Sequence, residues 1–308
     1  MLKALLISLS ENRRMRSIAE HSAIGKRVSG RFVAGTTIAD AISVTQNVNR
    51  VGATVSIDNL GENVTNADEA RHSAQLYNNI LDEIGARGLQ ANVSVKLTHL
   101  GLDVDANLAR ELASNLVAKA ASMNPRNFVR IDMEGSPYTQ RTLDFVHELH
   151  RQPGHAGVVG AVIQSYLHRS EQDIANLIAD GIRVRLCKGA YKEPSDIAYQ
   201  KKSEVDQNYV KLMKMLLKSG IYHGIATHDP RMIEETMSFS AREKISRDAF
   251  EFQMLYGVRR DLQMKLVREG WRMRVYVPFG EEWYPYLMRR LAERPANLLF
   301  IVKNMLRG

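Results

Sequence analysis

Two rhythms of apolar and polar positions take turns along this chain. Short β-branched runs, each closed by a turn, lead into longer stretches whose apolar residues recur with a helical period, from about residue 53 onward. Strands are predicted at 53–58, 92–96, 128–132, 160–164, 183–188, 224–228, 250–255 and 272–277. Between them, helices are predicted at about 66–84 and 106–122, through Leu143, Val146 and Leu149, from a cap near Ser170, and at about 203–218, 231–238 and 259–269. Residues 1 to about 52 read as helical, beginning with an amphipathic segment at 1–9. Within them Thr37 caps a helix through Ala39, Ile42, Val44, Val48 and Val51, with Gly52 as its stop. Eight strand-helix units in strict alternation predict an α/β fold, a (β/α)8 TIM-like barrel over 53–308 with an N-terminal helical extension, in a single domain.

The last predicted helix follows strand eight in Trp283-Tyr-Pro-Tyr-Leu-Met-Arg-Arg-Leu-Ala-Glu-Arg-Pro295. Pro285 suits a first helical turn, where a missing N–H costs nothing, and Pro295 marks an end. Tyr286, Arg289, Arg290 and Glu293 fall at i, i+3, i+4 and i+7 and share one face, with Leu287 and Leu291 on another. Two guanidiniums beside an aromatic ring suit a small carboxylate, which arginine holds by paired charge-assisted bonds. A solvated Arg/Glu face is the alternative for this helix taken alone. The strand ends change that balance. In order they present Asp58, Lys96, Asp132, Gln164, Arg185 with Lys188, Thr227 with His228, Gln253 and Tyr276. Such a polar bowl is expected at the C-terminal end of a barrel, where barrel enzymes keep their active sites, and the arginine helix can close over it.

Composition narrows the partners. The 308 residues are 44% hydrophobic and 25% charged, with 42 basic against 34 acidic residues, a net charge of +8 and a pI near 9.5. That excess points to nucleic acid, an anionic membrane surface or an anionic ligand. Because the basic residues are spread without a long tract or interleaved aromatics, nucleic acid is not expected. The single Cys187 excludes an intramolecular disulfide and a cysteine metal cluster, and fits a reducing compartment. Uninterrupted apolar runs fall short of the roughly 18 residues of a membrane span, and residues 1–9 do not read as a signal peptide. A cytoplasmic location is expected.

Other chemistries fit less of the chain. Lys96 or Lys188 at a strand end allows a Schiff-base lysine aldolase as the alternative function. His147 and His150 lie three apart on a helix but form no zinc motif, so no metal is expected. Gly-x-Gly-x-x-Gly and P-loop signatures are absent, so a nucleotide cofactor has to use the barrel loops. Lys188-Gly-Ala190 offers backbone N–H groups and a cation for phosphate. Lys201 and Lys202 read as a solvated turn and Cys187 as core.

Six blocks together resemble the proline dehydrogenase family. They are Ser94-Val-Lys-Leu-Thr98, Arg130-Ile-Asp-Met-Glu134, Arg183-Val-Arg-Leu-Cys-Lys-Gly-Ala-Tyr191, Ala226-Thr-His-Asp229, Glu251-Phe-Gln-Met-Leu-Tyr-Gly257 and the long block 274–297. The length is similar to the stand-alone bacterial form. Asp229 stands where some members have asparagine, and Cys187 where valine is common. The resemblance implies oxidation of L-proline to 1-pyrroline-5-carboxylate by hydride transfer from C5 to N5 of noncovalent FAD, the first step of proline catabolism. It implies that Lys96, Arg289 and Arg290 hold the carboxylate while Tyr276, Tyr286 and Leu255 pack the ring, Tyr286 favouring proline over its hydroxylated form. Arg185 would stabilise reduced flavin, and Asp132 would orient the basic and phenolic groups above it. Met133, Gln164, Lys188, Gly189, Ala190, Thr227 and His228 would contact FAD, and Glu62 would form a gate with the first arginine. Electrons would leave through a membrane quinone, with peripheral contact to the inner face of the cell membrane through the basic surface. Oligomeric state is not indicated.

Overall fold

The computed structural model describes Ser22 and residues 29–61 and 64–293, with backbone alone for 289–293. Eight parallel strands close in sequence order into a barrel, β8 pairing with β1. They are β1 (Thr54–Asn59), β2 (Ala91–Val95), β3 (Val129–Ile131), β4 (Val159–Gln164), β5 (Arg183–Cys187), β6 (His223–Ala226), β7 (Phe250–Leu255) and β8 (Met273–Phe279). Each lies within two residues of its predicted bounds. Helix α1 (Ile38–Arg50) precedes the barrel, and α2 (Ala67–Ala86), α3 (Ala106–Ser122), α4 (Ser136–Arg151), α5 (Ser170–Ala179), α6 (Lys202–Lys218), α7 (Pro230–Arg242) and α8 (Arg260–Arg268) follow the first seven strands. Helix α9 (Trp283–Glu293) follows β8.

Local chemistry sets the helix ends. Thr37 Oγ1 accepts from Asp40 N while Asp40 Oδ2 accepts from Thr37 N, at 3.2 and 3.0 Å, the reciprocal cap that starts α1. The chain leaves α1 at Val51, which is 45% exposed and outside the helix instead of continuing its apolar face, and turns at Gly52. Helix α5 is not capped by the Ser170 side chain. Ser170 Oγ instead donates back to Gln164 O at 2.6 Å, tying α5 to the end of β4. Helix α7 runs past the predicted Ser238 and starts from an Asp229 cap with Pro230 in its first position.

Helix α1 packs against β8 and β1, the slot an eighth barrel helix would otherwise fill. Helix α9 joins a separate apolar cluster of Phe32, Val33, Leu60, Trp283, Tyr284, Tyr286, Leu287 and Met288. Leu60 comes directly after β1 and its N–H donates to Phe279 O at 2.7 Å, so α9 is fastened at the C-terminal end of the barrel. The segment 1–28 apart from Ser22, where the first predicted helix falls, lies outside the described residues.

The strands alternate between two kinds of surroundings. Val55, Ile57, Val93, Val95, Val129, Ile131, Val184, Leu186, Phe252, Val275 and Val277 join the helices in one buried apolar core. The residues between them are Ser56 and Asp58, Asn92 and Ser94, Arg130, Arg185, Glu251 and Gln253, and Arg274 and Tyr276. These point into the barrel, where their hydrogen bonds cross from strand to strand. Barrel interiors are usually filled by branched apolar side chains. This one is filled by paired polar ones.

Candidate active site

Asp132 follows β3 and is the hub of the barrel's upper end. Its Oδ1 accepts from Arg185 Nη1 and Ser94 Oγ, both at 2.7 Å, and its Oδ2 accepts from the Tyr276 hydroxyl at 2.8 Å. Arg185, 6% exposed, spends its other donors within the barrel. Nε donates to Gln253 Oε1 at 2.6 Å, Nη1 also to Ser94 Oγ at 3.0 Å, and Nη2 to Ser56 Oγ at 3.2 Å. Its guanidinium lies 5.1 Å from the centroid of the Tyr276 ring. Burial first, then the Asp132 and Asp58 charges, raise the Tyr276 hydroxyl well above the ordinary phenol range, so it remains a donor.

Beside this hub sits a second buried carboxylate. Asp58 ends the inward series of β1 and accepts from Tyr77 OH at 3.3 Å and Lys96 Nζ at 3.5 Å. Burial pushes its carboxyl up to about 6; Lys96 opposes the shift and Asp132 adds to it. Tyr77 reaches in from α2 and also receives Asn59 N at 3.3 Å. His99, just past Lys96, is 6% exposed and packs edge-on to Tyr77 at 6.2 Å between centroids. Burial, then the Lys96 and His72 charges, bring its imidazole down to about 4, so it is neutral at pH 7. Lys96, Asp132, Arg185 and Tyr276 are thus brought together.

A second corner gathers the expected cofactor residues. Lys188 Nζ donates to Asp206 Oδ1 at 2.5 Å and Asp229 Oδ2 at 2.9 Å, and Lys202 and Arg231 reach the same two carboxylates. Burial of Asp229 works against ionisation, but the Lys188 hydrogen bond and charge outweigh it and bring the carboxyl down to about 2. Lys202, expected as a solvated turn, instead joins this ion cluster while keeping 68% of its side-chain surface exposed. Gly189 has φ +106° with the Tyr166 ring against the place of a Cβ, so the Lys188–Ala190 turn requires glycine there. Thr227 Oγ1 accepts from Asp229 N at 3.1 Å, and His228 Nε2 accepts from Leu255 N at 2.9 Å. The latter bond places the proton of neutral His228 on Nδ1. Gln164, 3% exposed, donates to Glu134 O at 2.9 Å, and Met133, two residues past β3, is buried.

Leu255 is half-buried at the end of β7. Tyr286 is 7% exposed within the apolar cluster that fastens α9. Arg289 and Arg290 have their backbone in α9, while their side chains, like the whole of Glu62, lie outside what is described. Sequence reasoning missed Tyr77, which comes from mid-helix, and Asp206, which carries no strand-end signal. Ser56 was also missed, although its alternation with Val55 and Ile57 marks it as inward-facing.

Over residues 41–303 the chain matches the family model described as Proline dehydrogenase. The chain belongs to the proline dehydrogenase family. It is 41% identical over 282 residues to proline dehydrogenase 2 of Bacillus subtilis (strain 168), covering 91% of each chain. With the proline dehydrogenase of Deinococcus radiodurans it shares 42% over 283 residues, 90% of each. Its fold superposes with TM-score 0.81 on proline utilization A from Bdellovibrio bacteriovorus inactivated by N-propargylglycine, at 26% identity over 87% of this chain and 32% of that one. The chain thus spans about a third of that solved protein. A Schiff-base aldolase finds no support in these relationships, and both lysines considered for it stand in ion pairs. Among the described residues, no helix is long and apolar enough to cross a membrane, and no cluster of three or more metal-ligand side chains occurs.

Proposed function

We propose that the chain oxidises L-proline to 1-pyrroline-5-carboxylate, the first step of proline catabolism, with noncovalent FAD as hydride acceptor and a quinone as the next acceptor. The carrying observation is the buried Asp132–Arg185 pair under Tyr276, with the Lys96–Asp58 pair beside it at the barrel mouth. Lys96, Arg289 and Arg290 supply cations for the proline carboxylate, and Tyr276, Tyr286 and Leu255 supply surface for its ring. Asp132 holds the Arg185 guanidinium and the Tyr276 hydroxyl in fixed directions, so neither has to reorganise during reaction.

The residues present fit FAD. The corner around Lys188 sets three cations, Lys188, Lys202 and Arg231, against two carboxylates, Asp206 and Asp229, leaving positive charge for phosphate. Gly189 and Ala190 add backbone N–H groups, and Met133, Gln164, Thr227 and His228 line the neighbouring strand ends. Bound FAD would supply the two-electron acceptor for the hydride from proline C5. Arg185 would supply a fixed positive charge to stabilise the negative charge of the reduced flavin. Glu62 serves as a gate, and the basic surface supports peripheral contact with the inner face of the membrane. Denaturation and filtration of the purified protein should release free flavin, and proline should drive reduction of a quinone or artificial dye. Absence of flavin, or proline-dependent NADH formation without dye turnover, would overturn this reading.

A further inference from the structure

We infer that Glu251 and Gln253, on the inward face of β7, are positioning residues that fix Arg185 from the floor of the barrel. The inference rests on the flavin-dependent reading above and assigns the two a part in it. Gln253 is 3% exposed and bridges two unlike neighbours. Its Nε2 donates to Glu251 Oε1 at 2.6 Å, and its Oε1 accepts from Arg185 Nε at 2.6 Å. A carboxylate only accepts and a guanidinium only donates, so both ends demand the same amide orientation. The amide cannot flip without losing both bonds.

Glu251 is held in turn. Its Oε1 accepts from Arg274 Nε at 2.6 Å, and its Oε2 from the Tyr222 hydroxyl at 2.9 Å. Arg274 is itself fixed by donating from Nη1 to Val55 O at 2.7 Å. Burial alone would raise the Glu251 carboxyl, but the Arg274 charge and hydrogen bond outweigh it and keep the group ionised. A chain of bonds therefore runs up the barrel axis from Arg274 through Glu251 and Gln253 to Arg185, and on to Asp132 and Tyr276. Ser56 and Ser94 hold only the Nη atoms of Arg185, while Gln253 receives its Nε–H. That third direction sets the tilt of the guanidinium plane.

The neighbouring strand makes room for this bridge. Gly224 of β6 lies in register with Arg185 and Glu251, and a Cβ there would collide with the Gln253 amide. Gly224→Ala is therefore a way to disturb Gln253 without touching Arg185.

The test compares wild type, Gln253→Met, Gly224→Ala and Arg185→Met, plus the Gln253→Met/Arg185→Met double variant, each purified with flavin. Flavin midpoint potential, kcat and KM for proline, and melting temperature are measured. Gln253→Met and Gly224→Ala should each lower kcat about tenfold with KM nearly unchanged. Each should also shift the midpoint negative by about 30 mV, the two-electron equivalent of tenfold. In the Arg185→Met background Gln253→Met should change neither quantity further, because the residue it positions is gone. A lower melting temperature with wild-type potential and kcat would make the bridge merely structural and overturn the inference. Equal effects of Gln253→Met in both backgrounds would overturn it too, and if Gln253→Met does not fold, Gly224→Ala decides alone. A wild type without flavin would remove the functional reading itself, whereas flavin-bound wild type with unaffected variants removes only this inference.

Discussion

Replacing Asp132 by Asn tests the site at its hub, because the change keeps the shape and removes only the charge. The amide oxygen can still accept from Arg185 Nη1 and Ser94 Oγ, which now meet Oδ1 at 2.7 Å. The new NH2 then faces the Tyr276 hydroxyl, which now donates at 2.8 Å and would have to turn and accept. The lost quantity is the compensation of Arg185, whose remaining partners Gln253, Ser94 and Ser56 are neutral. Breaking a buried ion pair from one side costs roughly 3–5 kcal/mol. Asp132 is 12% exposed at the mouth, which favours the lower end of that range. Asp58 offsets part of the loss: the Asp132 charge raises its carboxyl, so removing that charge makes Asp58 ionise more fully nearby.

The expected stability loss is therefore about 2–3 kcal/mol. At roughly 2–4 °C per kcal/mol for a chain this large, melting should fall by several degrees. Proline turnover should suffer at least as much, since Arg185 and Tyr276 both lose their common anchor. We expect kcat/KM to fall about a hundredfold, or about 2.7 kcal/mol, carried mainly by kcat. Tyr276→Phe removes one hydrogen bond to a charged group, and about tenfold should follow. In the Asp132→Asn background the same change should cost less, because the two groups share that bond. Thermal melting and proline-dependent dye reduction measure both quantities. An Asp132→Asn protein with unchanged melting and unchanged kcat/KM would refute the hub.

Two further outcomes follow from the same geometry. Asp58 has a folded pKa of about 6 against an ordinary 3.8, so it contributes stability that is present below about pH 4 and lost as pH rises through 6, worth about 3 kcal/mol in all. His99, lowered to about 4, and His223, lowered to about 3, act the opposite way as pH falls below 6.5, so the measurement is the wild-type minus Asp58→Asn difference in melting between pH 4 and 7, and a difference that does not vary with pH would refute the assignment. Arg289→Met or Arg290→Met should each raise KM for proline by roughly 10- to 150-fold, the worth of a charge-assisted contact of about 1.5–3 kcal/mol, with flavin content retained; wild-type KM in both would return that face of α9 to a solvated role.

The barrel was legible because its outer rhythm is simple. Val, Ile and Leu recur at every second strand position, and eight such runs separated by helical periods allow few other closures. Much of the site was legible in the strands, where Asp58, Lys96 and Asp132 lie at or just past the C-terminal ends, while Arg185 and Tyr276, expected at strand ends, stand at the middle of β5 and β8. Groups acting from outside the strands gave no such signal. Tyr77 sits on the buried face of α2 among Ala74, Ile80 and Leu81, where an aromatic residue reads as packing. Asp206 lies just past the first turn of α6 among polar neighbours, and only folding brings it to Lys188. The cap near Ser170 failed because a serine hydroxyl at a helix start has a second use, and here the carbonyl of Gln164 takes it.

What strand-end reading overlooked lies deeper in the same strands. Strands buried on both faces are expected to be apolar throughout, so an interior polar residue is easily taken for the end of a run. Arg130, Glu251 and Arg274 show otherwise. Each is an inward position one period below a site residue: Arg130 below Asp132, Glu251 below Gln253, Arg274 below Tyr276. Arg274 is paired across strands with Glu251 at 2.6 Å, whereas Arg130 has no carboxylate partner among the described residues and is held by hydrogen bonds to the carbonyls of Ala161 and Arg183 at 2.8 and 2.7 Å. A slip of one residue in β3, β7 or β8 would turn these groups toward the apolar helices and bring Val, Ile or Phe inside. The polar interior thus penalises one-residue slips of the strands that carry it. The register it enforces is also the one that places Arg185 opposite Asp132 and under Tyr276, so the same alternation specifies both the fold and the site.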